Sequence, residues 1–281
     1  SDILARVVGR GLAERWRQSV VVENVPGASA IIGTERAAKA PADGYTILFG
    51  TISNLAVNPT LFEGRLPYDP LRSFAPITLA AAIPLVLVVN AALPVRSVAE
   101  LVEHARGRSD LSYGSGGSGS SQHLAMELLR QRTGLAATHV PYRSSAPAML
   151  DLVAGQIGVM FDNLNTALPH IASGRLRALA VTAETRAAGL PAVPTMAEAG
   201  FPDLRLGTWF AFLAPSGTPR EILARLHEGI VEVLRAPATA GPLGEQGMEI
   251  IASTPEALTT HMEAEIGRWR GVVRAADIRV D

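Results

Sequence analysis

Short apolar runs rich in β-branched residues alternate along this chain with amphipathic segments, whose apolar residues recur every three to four positions. The runs have the length of buried strands, and the amphipathic segments have the length of helices. The predicted strands are Val20–Val25, Thr46–Thr51, Pro84–Asn90, Thr138–Tyr142, Ile157–Asp162, Leu176–Thr182, Trp209–Ala214 and Met248–Ala252. Because strands and helices alternate, the sequence predicts an α/β fold with mainly parallel sheets.

Four of the predicted helices begin with a capping box, in which a Ser or Thr is followed three residues later by Glu. These boxes start at Ser97, Thr195, Thr218 and Ser253, and the last two carry a proline in the first turn. They fix where the helices begin more firmly than the periodicity alone does.

Two long apolar strands run into proline-containing loops that precede a capped helix, at 84–94 and at 207–219. If the chain crosses between domains at both hinge strands, residues 96–213 form an inserted lobe 2. Residues 1–95 and 214–281 then form a discontinuous lobe 1. Two crossing strands between α/β lobes are typical of a binder that closes about a hinge. The alternative is one continuous sheet with long loops.

The segment Gly114–Ser121 is the richest in candidate chemistry, and we call it the glycine–serine loop. It follows a short apolar run and leads into a helical pattern with Leu124 and Leu128 four residues apart. Glycines allow backbone N–H groups to turn inward, and a helix start adds unpaired N–H groups and the positive end of its dipole. The loop therefore predicts an anion site for a phosphate, a sulfate or a carboxylate.

The same loop matches the dinucleotide fingerprint through Gly114, Gly116 and Gly119. That fingerprint also requires an acidic residue at the end of the next strand, where this chain has Arg143. An arginine there suits a 2′-phosphate, so an NADP-dependent oxidoreductase using residues 114–119 is the alternative function. The serines of the loop argue for an anion other than the pyrophosphate of a dinucleotide. The chain also has no GxSxG nucleophile elbow, so a serine hydrolase has no support.

Composition narrows the function classes further. The chain has 25 basic and 26 acidic residues, which gives no electrostatic footprint for nucleic acid. It has no cysteine, and its histidines show no metal-ligand spacing, so we expect neither a metal nor a cofactor. No apolar run reaches eighteen residues, and hence no membrane span is predicted.

Three further features carry polar groups at predicted strand ends or helix starts. His123 lies in the first turn after the loop, either as a ligand gate or hydrogen-bonded to the loop. Asp162 ends an apolar strand, where a carboxylate faces the usual ligand crevice or caps the following helix. The segment Gly50–Asn54 follows another strand and offers hydroxyl and amide donors.

The chain resembles the Bug family, the periplasmic solute receptors of tripartite tricarboxylate transport systems. The matching blocks follow the family's order over essentially the whole chain. They are Val22–Gly27, Ile32–Gly33, Pro41–Thr46, Tyr68–Pro70, Phe74–Pro76, Gly114–Leu124, His139–Tyr142, Ala146–Pro147, Phe161–Asn163, Pro169–Ile171, Leu179–Val181, Pro194–Gly200 and Trp269.

The resemblance implies a two-lobed type II periplasmic binding protein fold that closes on a small di- or tricarboxylate or acidic amino acid. It implies a non-catalytic, periplasmic, monomeric receptor that delivers this ligand to membrane subunits of the transporter. The candidate ligand-binding residues are Thr51, Ser53, Asn54, Ser115, Gly116, Gly117, Ser118, Ser120, Ser121, Tyr142, Arg143 and Asp162.

The sequence departs from the family in two places. Family members begin with a strand and a Pro-x-Gly-Gly loop just before the equivalent of Asp2, and this first strand of lobe 1 is missing from the sequence. We interpret the sequence as a fragment. The family often has glycine after the His139–Tyr142 block, whereas this chain has Arg143, which either pairs with a second ligand carboxylate or points to solvent.

Overall fold

The structure, a computed structural model, describes residues 2–25, 27–107, 110–276 and 278. Pro26, part of the Val22–Gly27 block, lies outside the described residues. The helices are α1 (Asp2–Trp16), α2 (Ile31–Ala38), α3 (Asn58–Leu61), α4 (Val98–Ala105), α5 (Ser121–Thr133), α6 (Ser145–Val153), α7 (Leu164–Ala172), α8 (Arg220–Arg235), α9 (Pro237–Glu245) and α10 (Pro255–Ala275). The strands are β1 (Leu48–Thr51), β2 (Phe74–Asn90), β3 (Ser112–Ser115), β4 (Thr138–Pro141), β5 (Val159–Asn163), β6 (Leu176–Val181), β7 (Gly207–Pro215) and β8 (Glu249–Ile250). The predicted α/β class is confirmed.

The chain forms two compact units. Unit 1 comprises the described residues up to Ala82, Trp209–Glu245 and Glu249–Gly271. Unit 2 comprises Ile83–Thr208, Gln246–Met248 and the described residues from Val272 onward. The lobe boundaries predicted from the sequence, with lobe 2 at 96–213, stay a prediction.

Unit 2 is built on a sheet with the strand order β6-β2-β5-β3-β4. Strand β3 pairs in parallel with β4 and β5, whereas β2 runs antiparallel to both β5 and β6. Since α5 and α6 provide the crossovers from β3 to β4 and from β4 to β5, these three strands point the same way. Their carboxyl ends therefore lie at one edge of the sheet, where the loops that follow them meet.

Unit 1 contains β1 paired antiparallel with β7, and β8 paired antiparallel with β2. The prediction of mainly parallel sheets is therefore corrected to mixed sheets. The long strand β2 runs antiparallel to its partners in both units: to β5 and β6 in unit 2, and to β8 in unit 1. Helix α1 packs on α8 at close range. A Cβ on Gly11 would lie 2.6 Å from the side chain of Val233, so this glycine allows the approach.

The predicted strand Val20–Val25 is wrong. Among its described residues there is no strand, and Val21 is 84% exposed. An apolar run forms a strand only where a neighbouring strand accepts its backbone hydrogen bonds, and no described strand pairs with this one.

The capping boxes have mixed outcomes. Thr195 and Glu198 bond reciprocally, with each side chain accepting the backbone N–H of the other. The helix predicted to begin at Thr195 is nevertheless wrong, because the box closes a series of turns at 196–200 and no helix lies in the described residues between β6 and β7. Ser97 caps α4 by accepting from the backbone N–H of Glu100. In contrast, the Thr218 hydroxyl bonds to the carbonyl of Pro215, and α10 is capped by Thr254 in place of Ser253. Among the described residues, no helix is both long and apolar enough to cross a membrane.

Candidate anion site at the glycine–serine loop

The glycine–serine loop leaves β3 and enters α5 at the edge of the unit 2 sheet. Its glycines are required by close neighbours. A Cβ on Gly114 would lie 2.3 Å from Cδ1 of Ile157, and a Cβ on Gly116 would lie 3.2 Å from the backbone nitrogen of Ser145. Gly117 has φ +113° and Gly119 has φ +77°, a left-handed region that favours glycine. The loop thus packs against the first residue of α6.

Three of the seven backbone N–H groups from Gly116 to Gln122 donate to groups within the protein. The N–H of Gly117 donates to Ser115 Oγ at 3.1 Å, and that of Gly119 donates to His123 Nδ1 at 3.1 Å. The N–H of Ser120 donates to the carbonyl oxygen of Gly117. Four backbone N–H groups donate to none of the described residues: those of Gly116, Ser118, Ser121 and Gln122.

Helices α5, α6 and α7 begin beside these four donors, and Ser145 at the start of α6 already lies against Gly116. Ser120 caps α5, because its Oγ accepts from the backbone N–H of His123 at 3.3 Å. Asn163 precedes α7, and its Oδ1 accepts from Thr208 Oγ1, which in turn lies 2.8 Å from Ser121 Oγ. Because helix starts carry partial positive charge, the starts of these helices favour a negatively charged group beside the loop.

The predicted side-chain ligands of this region divide into two groups. The hydroxyls of Ser115 and Ser121 are buried and bonded to groups of the chain itself. Ser118 is half-buried, and its hydroxyl bonds to no described residue. Ser120 is half-buried, and its oxygen retains acceptor and donor capacity beyond the cap. Only Ser118 and Ser120 therefore offer hydroxyls outward.

Asp162 is the second-to-last residue of β5, lies beneath the loop and is fully buried. Gln122 Nε2 donates to one of its carboxylate oxygens at 3.2 Å, and Thr166 Oγ1 donates to the other at 2.7 Å. Burial raises the pKa of this carboxyl, against the hydrogen bonds from Thr166, the Asn163 backbone and Gln122, which lower it. Asp162 does not cap α7, since the N-cap residue is Asn163. Its contacts fit a group that orients Gln122.

Tyr142 and Arg143 follow β4. The Tyr142 hydroxyl donates to Asp151 Oδ2 at 2.6 Å, and partial burial together with this carboxylate raises the Tyr142 pKa to about 12. The Tyr142 backbone N–H donates to the carbonyl of Ser115. Arg143 is exposed and forms no side-chain hydrogen bond or ion pair with the described residues. The hydroxyl and backbone N–H of Tyr142 are thus hydrogen-bonded within the fold, whereas the Arg143 guanidinium is unpaired among the described residues and can contact a ligand.

His123 is hydrogen-bonded to the loop through Gly119, which confirms that prediction over a ligand gate. Its ring is stacked on His139, a residue that sequence reasoning did not select. Thr208 and Glu127 were also missed. The only signal in the sequence was the spacing of four between His123 and Glu127, which places both on one helix face.

The predicted residues of unit 1 are arranged differently. Asn54 is buried, and its Oδ1 accepts from both the N–H and the hydroxyl of Thr51. Its Nδ2 donates to Thr34 Oγ1 at 2.9 Å. Ser53 is half-buried, and its hydroxyl bonds to no described residue. Ser53 and Asn54 lie in the first turn of a π-helix, Ser53–Val57, that follows β1 directly. Asn54 and Thr51 therefore hold the connection between β1 and this helix together, and only Ser53 leaves a hydroxyl unused.

In the part of the chain that the structure describes, no cluster of three His, Cys, Asp or Glu residues could hold a metal ion. Within unit 2, the candidates Ser115–Ser121, Tyr142, Arg143 and Asp162 meet at the carboxyl ends of β3, β4 and β5. This arrangement suits reversible binding of an anion by neutral donors.

Comparisons with known proteins identify the family of this chain. The family model described as "Tripartite tricarboxylate transporter family receptor" matches residues 4–278. Protein BugT of Bordetella pertussis is 39% identical over 276 residues, covering 98% of this chain and 84% of BugT.

Two solved structures of relatives are also closely similar. The R. palustris protein Rpa4515, solved with adipate, has a TM-score of 0.91 and 39% identity, covering 99% of this chain and 93% of that one. MatC from Rhodopseudomonas palustris, solved with bound malate, has a TM-score of 0.88 and 29% identity, covering 97% and 94%. The family consists of solute receptors and gives no support to the NADP-dependent oxidoreductase. The chain belongs to the tripartite tricarboxylate transporter receptor family and has the fold of its periplasmic binding proteins.

Proposed function

We propose that this receptor binds a small dicarboxylate, with one carboxylate seated on the glycine–serine loop, and delivers it to membrane subunits of a tripartite transporter. The observation that carries the proposal is the set of four unpaired N–H groups of Gly116, Ser118, Ser121 and Gln122 at the start of α5. A carboxylate has two oxygens with about four acceptor positions. It therefore matches these donors in charge and number.

The side chains around the loop support a carboxylate over a pyrophosphate. Ser118 and Ser120 add hydroxyl donors, and Arg143 supplies an unpaired guanidinium next to the loop for the second carboxylate. The relatives solved with adipate and with malate both hold dicarboxylates. We further propose that the receptor acts as a monomer in the periplasm.

The binding proposal is tested by calorimetry and thermal shift with a panel of adipate, malate and citrate, and with glucose and NADP⁺ as controls. We expect saturable binding of at least one carboxylate, and a rise in melting temperature that grows with its concentration. Stabilisation by NADP⁺ alone, or by none of the carboxylates, would contradict the proposal.

Two substitutions localise the binding. Ser120→Ala removes the cap and the hydroxyl, so we expect about 1 kcal/mol loss of stability and weaker carboxylate binding. Asp162→Asn keeps the volume beneath Gln122 but removes the negative charge, so we expect the protein to fold and its affinity to change by less than in Ser120→Ala. Unchanged affinity in Ser120→Ala would remove that residue from the site.

A further inference from the structure

A stack of three rings lies behind the glycine–serine loop in unit 2, and we call it the ring stack. It consists of Tyr113 on β3, His139 on β4 and His123 on α5. The His123 and His139 rings are nearly parallel, with centroids 3.9 Å apart and an interplanar angle of 8°. The Tyr113 and His139 centroids are 4.8 Å apart, at 18°. The stack therefore joins three elements through residues that the carboxylate-binding proposal does not use.

Each imidazole of the stack bonds toward the loop. His123 Nδ1 accepts the N–H of Gly119 at 3.1 Å. His139 Nε2 lies 2.7 Å from Ser115 Oγ, and this same oxygen accepts the N–H of Gly117 at 3.1 Å. The two imidazoles thus hold the N–H groups of Gly117 and Gly119, one through Ser115 and one directly.

This bonding alternates along the loop with the unpaired donors. The N–H groups of Gly117 and Gly119 bond inward to the stack or to Ser115, whereas those of Gly116 and Ser118 bond to no described residue. Because Gly117 and Gly119 both have positive φ, the loop adopts a backbone that needs specific support. The inward bonds provide that support.

The charged groups that face the stack come from α5. Glu127 accepts from the Tyr113 hydroxyl in a short hydrogen bond and from Arg130 Nη1 at 2.6 Å, and its Oε1 lies 3.9 Å from His123 Nε2. Arg130 neutralises Glu127. Burial lowers the pKa of His123 to about 3, with His139 and Arg130 adding to the effect, and lowers that of His139 to about 4. Both rings are therefore neutral at pH 7, and His123 Nδ1 is free to accept.

We propose that His123 and His139 are positioning residues that hold the glycine–serine loop in its anion-accepting form through these two hydrogen bonds. The proposal rests on the proposed carboxylate function of the loop. If the rings only fill space in the core, an apolar side chain of similar size would serve equally well. If the ring nitrogens matter, a side chain that keeps an acceptor at the same place restores the loop.

The chain allows a matched pair of variants at each ring. In His123→Asn, Oδ1 takes the place of Nδ1 and can accept from Gly119, whereas His123→Leu fills the space without an acceptor. His139→Gln and His139→Leu form the second pair, in case one variant at 123 does not fold. Tyr113→Phe is the control, because it removes the bond to Glu127 and leaves both loop bonds intact.

The experiment measures amide hydrogen exchange of the loop in the ligand-free variants, and the adipate Kd and the melting temperature of each. We expect the Gly119 amide to exchange at least about tenfold faster in His123→Leu, and adipate to bind about tenfold more weakly, which is the loss expected for one net hydrogen bond. His123→Asn should stay within about threefold of the wild type on both counts. Tyr113→Phe should lower the melting temperature without changing loop exchange or affinity.

Several outcomes overturn the inference. One is equal loop exchange in the wild type and in both leucine variants. A second is equal loss in the Asn and Leu variants, which would mean that the acceptor is irrelevant. A third is faster exchange with unchanged adipate Kd, which would mean that the loop form does not govern binding. If the wild type itself binds no carboxylate, the proposed function fails, and the exchange arm alone then decides whether the rings hold the loop.

Discussion

Two connections from a strand into a helix in this protein have a similar supply of hydroxyl and amide groups, and they use it in opposite ways. In the connection after β1, in unit 1, Asn54 and Thr51 bond to each other, and Asn54 also bonds to Thr34. In the glycine–serine loop of unit 2, four backbone N–H groups at the start of α5 bond to no described residue. The polar groups of the first connection are occupied by one another and by Thr34, whereas several donors of the second are left without a partner in the described residues.

The difference shows what separates a structural polar cluster from a binding site. Asn54 is 3% exposed, and both ends of its side-chain amide are hydrogen-bonded, to Thr51 and to Thr34. The cluster therefore stabilises the fold and has few donors or acceptors left for a ligand. In unit 2 the buried polar groups Ser115 and His123 accept from the N–H groups of Gly117 and Gly119, and the Ser120 N–H bonds to the Gly117 carbonyl. Among the described residues, this leaves only the N–H groups of Gly116, Ser118, Ser121 and Gln122 without a partner. The remaining donors are the ones that a ligand can use.

The largest expected effect comes from straining the glycine–serine loop. Gly117→Ala places a Cβ on a residue with φ +113°, 3.3 Å from the carbonyl oxygen of Tyr142. We expect adipate to bind about 100-fold more weakly, or about 2.7 kcal/mol, because the strained loop no longer presents its donors together. Calorimetry measures the Kd.

Gly64→Ala is the matched control for this strain. Gly64 has φ +75° in unit 1 and no neighbour within 4 Å of an added Cβ. We expect it to cost a similar amount of stability with an unchanged adipate Kd. Equal loss of affinity in both variants would mean that strain alone explains the effect.

The second prediction concerns the connection after β1. Asn54→Ala leaves the N–H of Thr51 and the hydroxyl of Thr34 without this partner in a buried region. We expect the free energy of unfolding to fall by about 2.5 kcal/mol, measured by urea denaturation, with the adipate Kd of the folded protein within about threefold. Ser53→Ala is the control, since its hydroxyl has no described partner, and it should leave stability unchanged. A large loss of affinity in Ser53→Ala would show that unit 1 contributes to ligand binding.

The third prediction concerns the support behind the glycine–serine loop. Since the pKa values of His123 and His139 are lowered in the fold, to about 3 and about 4, the unfolded chain binds more protons between those values and about 6.5. Their contribution to stability is therefore complete above pH 6.5 and is lost as the pH falls. We expect the free energy of unfolding to drop by at least about 3 kcal/mol between pH 7 and pH 4, chiefly from His123, which is the more deeply buried of the two rings.

The double variant His123→Asn, His139→Gln isolates this contribution. It has no titratable ring at either position, so its stability should fall less over the same range. Glu127, Arg130 and Tyr113 face the rings and are unchanged in both proteins. An equal drop in the wild type and the double variant would assign the acid sensitivity to other groups.

The smallest predicted effect belongs to Arg143, which is exposed and unpaired among the described residues. Arg143→Gln should weaken adipate binding about fivefold, about 1 kcal/mol, while the free energy of unfolding stays within about 0.5 kcal/mol. Hexanoate, which lacks the second carboxylate, serves as the matched ligand and should bind both proteins equally. Arg220→Gln is the control for net charge. An adipate Kd that does not change would place Arg143 in solvent.

Sequence patterns predicted the parts of this protein that depend on local residues. The apolar runs located β2, β5, β6 and β7, and the glycines and serines singled out the candidate anion site, which stays a prediction. The strand predicted at Val20–Val25 is absent because a strand also needs a partner strand, and the residues of a segment alone do not show whether one is available. The glycine–serine loop shows the same limit. Which of its donors are open depends on His139, which is far from the loop in sequence and reaches Ser115 only through the pairing of β3 with β4.

The central claim is that the backbone donors of the glycine–serine loop hold a ligand carboxylate. The most direct test is a ¹H–¹⁵N NMR titration of the assigned, deuterated protein with adipate. The amide signals of Gly116, Ser118, Ser121 and Gln122 should shift downfield and saturate together, with the Kd found by calorimetry, while those of Gly117 and Gly119 keep their inward hydrogen bonds and move less. Saturable adipate binding that leaves all four amides unshifted would contradict the account.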